Sequence, residues 1–153
     1  MNDNAQVKIF PPLIFLLPAI IGTVLQLLVP LYIFPVGLAR FAIGGLLIIL
    51  GISFLSWAMN TLRNADTAIH PDHTTNSVVV EGPFKFTRNP MYVSFSVVYL
   101  GLTALINTWW MAFFFPLIIP ILFYAVISRE EEYLKEKFGA QYEQYQQSVG
   151  RWF

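Results

Sequence analysis

The sequence contains no cysteine at all. Disulfides, thiolate metal sites and cysteine nucleophiles are therefore excluded. Charge is scarce: 12% of the 153 residues are Asp, Glu, Lys or Arg, about half the usual share of ~25%. The formal net charge is +0, so there is no basic footprint for nucleic acid. There is no glycine-rich dinucleotide loop, no P-loop and no strand–helix alternation, which excludes a soluble-type nucleotide domain. Charge is wholly missing from residues 9–39, 41–62 and 89–128. A membrane-crossing helix needs about 20 mostly apolar residues. All three stretches qualify, and a soluble domain or a disordered chain does not fit this pattern.

What is present is 56% hydrophobic residues arranged in long runs. The first span is expected over Ile9–Leu31, with Pro11 and Pro12 in its first turn, where the missing N–H costs nothing. Pro18 should kink it. The one lysine of the first eight residues follows Asp3, and no small-residue cleavage site comes after the run. The run therefore reads as a retained anchor and not as a cleavable signal. A second span is expected over Phe41–Thr61, where Gly44 and Gly51 share a face and permit close helix approach. The 40 residues of 89–128 would be about 60 Å as one helix, twice the hydrocarbon thickness. They must fold back, with the break at Asn107-Thr108 beside Trp109-Trp110. A tight hairpin of Met91–Ile106 and Trp110–Ile127 follows, its second arm bent by Pro116 and Pro120. From Arg129 on, Leu134, Phe138, Tyr142, Tyr145 and Val149 recur at spacings of a single helical face, which predicts one amphipathic tail helix. The fold class is all-α: an integral membrane protein of about four spans, divided into a helix pair (1–62) and a site-bearing part (63–153). Eight of the nine Lys and Arg residues then share one side, which the positive-inside rule makes cytoplasmic, along with both termini.

Two polar stretches meet on that side. In residues 63–88, Ser77–Val80 could be a short extended piece and Glu81-Gly82-Pro83 a turn. Asn89 sits at an N-cap position and Pro90 at the first helical position, leaving free N–H groups for an anion, with the Arg88 fork beside them. Directly after the last span comes Arg129-Glu130-Glu131-Glu132, where one or two carboxylates could face a cationic ligand. His70 and His73 are spaced for a metal, but no carboxylate or thiol set completes such a site. His70 is better read as a turn cap or ligand contact.

The run from Gly82 to Tyr92 resembles the Gly-Pro-aromatic…Arg-[His/Asn]-Pro-x-Tyr motif of the isoprenylcysteine carboxyl methyltransferase and phospholipid methyltransferase superfamily. Glu130-Glu131, Leu134, Phe138-Gly139, Tyr142, Tyr145, Val149 and Arg151 resemble its C-terminal signature. Thr67 and Pro71 resemble a Thr-x-x-x-Pro element of the bacterial branch. Asn89 stands where the prenylcysteine enzymes carry His, so the pattern is nearer to phospholipid-type and bacterial members. The resemblance implies an integral membrane methyltransferase, in a bacterial inner membrane. It would use S-adenosylmethionine and act on a lipophilic acceptor, a carboxylate or an amine, reached from the membrane lipids. It implies Arg88 and Glu131 as catalytic residues. A pocket of His70, Gly82, Phe84, Arg88, Asn89, Pro90, Tyr92, Glu130 and Glu131 would hold the cofactor, with Phe84, Phe86 and Tyr92 offering faces to adenine and the sulfonium. Tyr142 or Tyr145 would close it, and an amine acceptor would need Glu131 or His70 as base. The rival reading is a non-catalytic membrane scaffold or small transporter subunit.

Overall fold

The computed structural model describes residues 5, 7, 9–35, 37–68 and 74–153. Among them the regular structure is all helical. Helix α1 runs Pro11–Leu28, α2 Ala39–Asn64, α3 Pro90–Ile106 and α4 Trp109–Leu122. A π-helical turn, Phe123–Ile127, joins α4 without a break to α5, Ser128–Phe138, and α6 follows as Ala140–Ser148. Proline opens α1 and α3, as its fixed φ and missing donor favour. Pro18 lies inside α1, and Pro116 and Pro120 inside α4. Ser77–Val80 forms no strand.

Among the described residues, three helices are long and apolar enough to cross a membrane: Pro11–Leu28, Ala39–Asn64 and the continuous Trp109–Phe138. The 17-residue α3 is a shorter apolar helix, about 25 Å long. Leucine and isoleucine on the outer faces of α1 and α2, such as Leu17, Leu27, Ile49 and Leu50, stay exposed. Such a surface suits lipid and not water. The 30 residues of Trp109–Phe138 make about 45 Å, against a hydrocarbon core of about 30 Å. Its charged third, from Arg129, therefore projects beyond the bilayer, and α5 lies outside the spanning segment.

The chain breaks between α3 and α4 as expected, at Asn107, which takes the left-handed φ of 60°. The two arms are not a tight pair, however. Helix α3 packs chiefly on α2, and α4 on α1. Small residues explain the first choice: a Cβ on Gly44 would stand 2.8 Å from the Gly101 carbonyl oxygen, and one on Gly101 3.0 Å from that of Gly44. The arms meet instead through buried Tyr99, which stacks on Phe115 with ring centroids 5.8 Å apart and donates to the Met111 carbonyl at 3.0 Å. Ile118, Leu122 and Val126 complete the core. The expected single tail helix is also corrected. Gly139, at φ 50°, ends α5 and starts α6, a conformation glycine adopts without a Cβ penalty.

Asn107 also fastens the far end of the bundle. Its Oδ1 accepts from the N–H groups of Ile33 and Phe34 at 2.9 and 2.7 Å, and its Nδ2 donates to the Phe34 carbonyl at 3.0 Å. Asn107→Ala leaves those groups unpaired and puts a Cβ-bearing residue without a polar side chain at a left-handed position. We expect a loss of about 2 kcal/mol, hence a melting point in detergent lower by about 4–8 °C. An unchanged melting point would show that this fastening is idle.

Candidate active site

At the opposite end, the start of α3 and the start of α5 face one cavity. Arg88, Asn89, Pro90 and Tyr92 line it from one side, and Glu130 and Glu131 from the other. Leu62, Thr67, Ser77, Val78 and Phe84 form further walls, and Tyr142 and Tyr145 of α6 cover it. The empty space between these walls, part of it open to solvent, is about 870 Å³.

Local geometry fixes each side chain. Thr87 is fully buried. Its hydroxyl accepts from the Asn89 N–H at 3.1 Å and donates to the Arg151 carbonyl at 3.0 Å. Asn89 occupies the N-cap position, but its side chain does not cap α3. Its Nδ2 donates to the Arg151 carbonyl at 3.0 Å. The expected row of free helix N–H groups is reduced as well. Pro90 has none, and the Tyr92 and Val93 N–H groups both donate to the Asn89 carbonyl. An anion at this site would therefore depend on Arg88 more than on the helix terminus. The Arg88 N–H itself donates to the Gly150 carbonyl at 3.0 Å.

Glu131 is held by two arginines. Arg151 grips it as a fork, Nε to Oε1 at 2.9 Å and Nη2 to Oε2 at 2.8 Å. Arg88 Nη1 lies 3.2 Å from Oε1, out of line for a hydrogen bond. Arg88 Nε is buried with no hydrogen-bond partner. Only 10% of the Arg88 side chain is exposed. Buried guanidinium donors are normally satisfied, so this one marks a place for an acceptor. Glu130 accepts the Tyr92 hydroxyl on Oε1 at 2.7 Å. Burial pushes the Glu130 carboxyl up to about 7, against the pull of that hydrogen bond and with the help of neighbouring Glu131. Burial, then the charge of Glu131, lifts Tyr142 to about 12, and burial raises Tyr145. The hydrogen bonds to Glu131 raise Arg151. The Tyr145 hydroxyl donates to the Phe84 carbonyl at 2.8 Å and ties α6 across the cavity.

Not every candidate comes to this cavity. Gly82 lies outside it, against Thr61 and Trp57, where a Cβ would stand 2.6 Å from the Thr61 hydroxyl. It borders a second hollow beside the end of α2. Phe86 is 58% exposed and leans on Trp57, with centroids 6.3 Å apart, so its ring faces away from the cavity. His70, with Pro71 and His73, lies outside the described residues. No group of three potential metal ligands occurs among the described residues. Arg151 and Thr87, by contrast, organise the site, although residue type alone gives neither a role there. The traces of this in the sequence are the place of Arg151 in the C-terminal signature and its charge, complementary to Glu130-Glu131.

The sequence model of the family described as phospholipid methyltransferase matches residues 39–141. A protein-S-isoprenylcysteine O-methyltransferase of Schizosaccharomyces pombe is 35% identical over 72 residues, 47% of this chain and 30% of that protein. The match thus spans less than a third of that relative. No solved structure matches.

Proposed function

The chain belongs to the phospholipid methyltransferase family, and from that premise we propose that it transfers a methyl group from S-adenosylmethionine to a lipophilic acceptor drawn from the membrane. One observation carries this reading: a buried Arg88 Nε without an acceptor, in a cavity that also gathers Glu130 and Glu131. The donor set fits a zwitterion. Arg88 would take the carboxylate with a charge-assisted fork, and Glu130, with one oxygen not engaged by Tyr92, would face the ammonium or the ribose hydroxyls. Phe84, Tyr92 and Tyr142 offer rings that attract a cation or stack on a base.

When bound, S-adenosylmethionine supplies a methyl group already activated by its sulfonium. The work left to the protein is positioning, an effect that reaches effective molarities of about 10⁵ M or more. A carboxylate acceptor needs no base. An amine acceptor must lose a proton, and Glu130, with its raised proton affinity and one oxygen not engaged by Tyr92, is placed better for this than Glu131, which is spoken for by two arginines. We set the cavity on the cytoplasmic face of a bacterial inner membrane, following the positive-inside bias.

Purified protein in detergent is expected to bind S-adenosylhomocysteine by calorimetry. With radiolabelled S-adenosylmethionine and a total lipid extract, label should enter the lipid fraction. Absence of binding at millimolar ligand would reject the proposal, and binding without turnover would favour the non-catalytic scaffold.

A further inference from the structure

We propose that Arg151 is a positioning residue: by gripping Glu131 it keeps Arg88 available for the anionic group of the ligand. This rests on the function proposed above. Glu131 is the nearest carboxylate to Arg88 and its natural competitor for any incoming anion. The Arg151 fork occupies both Glu131 oxygens at 2.9 and 2.8 Å. Arg88 is left at 3.2 Å and off the hydrogen-bond line, with Nε unpartnered. Two guanidinium groups thus share one carboxylate, and one positive charge remains uncompensated by Glu131. If the fork is removed, Glu131 can swing fully onto Arg88 and cancel that charge.

Arg151 is itself fixed at both ends. Its carbonyl accepts from Thr87 Oγ1 and Asn89 Nδ2, the residues flanking Arg88, each at 3.0 Å. Its guanidinium lies over the Phe123 ring, 4.7 Å from the centroid. The residue therefore ties the start of α3, the π-helical turn and the start of α5 into one arrangement. Arginine suits this because its planar fork matches a carboxylate in two bonds at once, which lysine does not.

The test uses the full chain in detergent, with S-adenosylhomocysteine as the calorimetric probe. Arg151→Gln should raise Kd at least tenfold, and Arg151→Lys should recover part of that loss. The decisive comparison is made in an altered background. If Arg151 acts through Glu131, then E131Q/R151Q binds no more weakly than E131Q alone. A merely structural role, or direct contact with ligand, would make R151Q cost as much in the E131Q background as in wild type, and that result overturns the inference. Unchanged binding in R151Q also overturns it. Should R151Q fail to give a cooperative melt, the same comparison is made between R151K and E131Q/R151K. Failure of the wild type to bind counts against the proposed function, whereas these variant comparisons, made on a wild type that binds, bear on Arg151 alone.

Discussion

Arg88→Ala is expected to weaken S-adenosylhomocysteine binding by at least a hundredfold. The side chain is 10% exposed, lines the cavity and carries a buried donor without a partner. A hydrogen bond to a charged group contributes about 1.5–3 kcal/mol. Losing a two-bond fork therefore removes about 3–6 kcal/mol, and each 1.4 kcal/mol is tenfold in affinity. Arg88→Lys keeps the charge but not the fork, and should recover only part of the affinity. The fold should survive both changes. Arg88 holds the tail through its backbone N–H, on the Gly150 carbonyl, and Glu131 retains the Arg151 fork. A normal melting point with Kd raised a hundredfold is the expected outcome. A normal melting point with wild-type affinity would remove Arg88 from the site.

The helices were legible in the sequence because lipid and water partition residues so sharply. Charge-free runs marked the spans, Pro90 the start of α3, and Asn107-Thr108 the turn before α4. Their partners were harder to read. A helix that is apolar all round carries no amphipathic stripe to name its neighbour, and helices in lipid choose one another by close packing instead. Gly44 and Gly51 hold that information for α2, but nothing in the spacing pairs them with Gly101 on α3. The break at Gly139 is hidden in the sequence because Leu134, Phe138, Tyr142 and Tyr145 keep helical spacing straight through it. A positive φ leaves no periodic trace.

The site was partly legible for a similar reason. Arg88, Asn89 and Pro90 stood out by residue type at a helix start, and Glu130-Glu131 by charge at a membrane edge. Type alone places Asn89 at the N-cap, as found, but does not tell what its side chain bonds. Asn is favoured at that position because its oxygen can accept from the helix, yet here the side chain donates to Arg151, a contact 62 residues away that local reasoning does not reach. Ring chemistry assigns Phe86 to the pocket, but it does not tell which way a residue beside a short turn faces. The link from Arg151 to Glu131 spans 20 residues and depends on α6 turning back at Gly139.

That dependence of the site on helix packing leads to the second large effect. Gly44→Val should disrupt α2–α3 packing, while Gly45→Val one residue away should be tolerated. A Cβ on Gly44 would lie 2.6 Å from Leu105 Cγ and 2.8 Å from the Gly101 carbonyl oxygen, whereas one on Gly45 meets nothing within 4 Å. The Leu105 side chain can shift, but the carbonyl belongs to the backbone of α3 and can yield only if the helices part. Overpacking of this kind costs about 3 kcal/mol, or a melting point lower by about 6–12 °C. The loss should reach the cavity at the other end. Helix α2 supplies Leu62 to its wall and α3 supplies Pro90 and Tyr92, so parting the two helices moves these walls relative to each other. Gly44→Val should therefore weaken S-adenosylhomocysteine binding as well as stability, although it contacts no ligand. Equal melting points for the Gly44 and Gly45 variants would mean that the glycine face does not set the α2–α3 distance. A lower melting point with unaltered binding would mean that the cavity holds its shape independently of that distance.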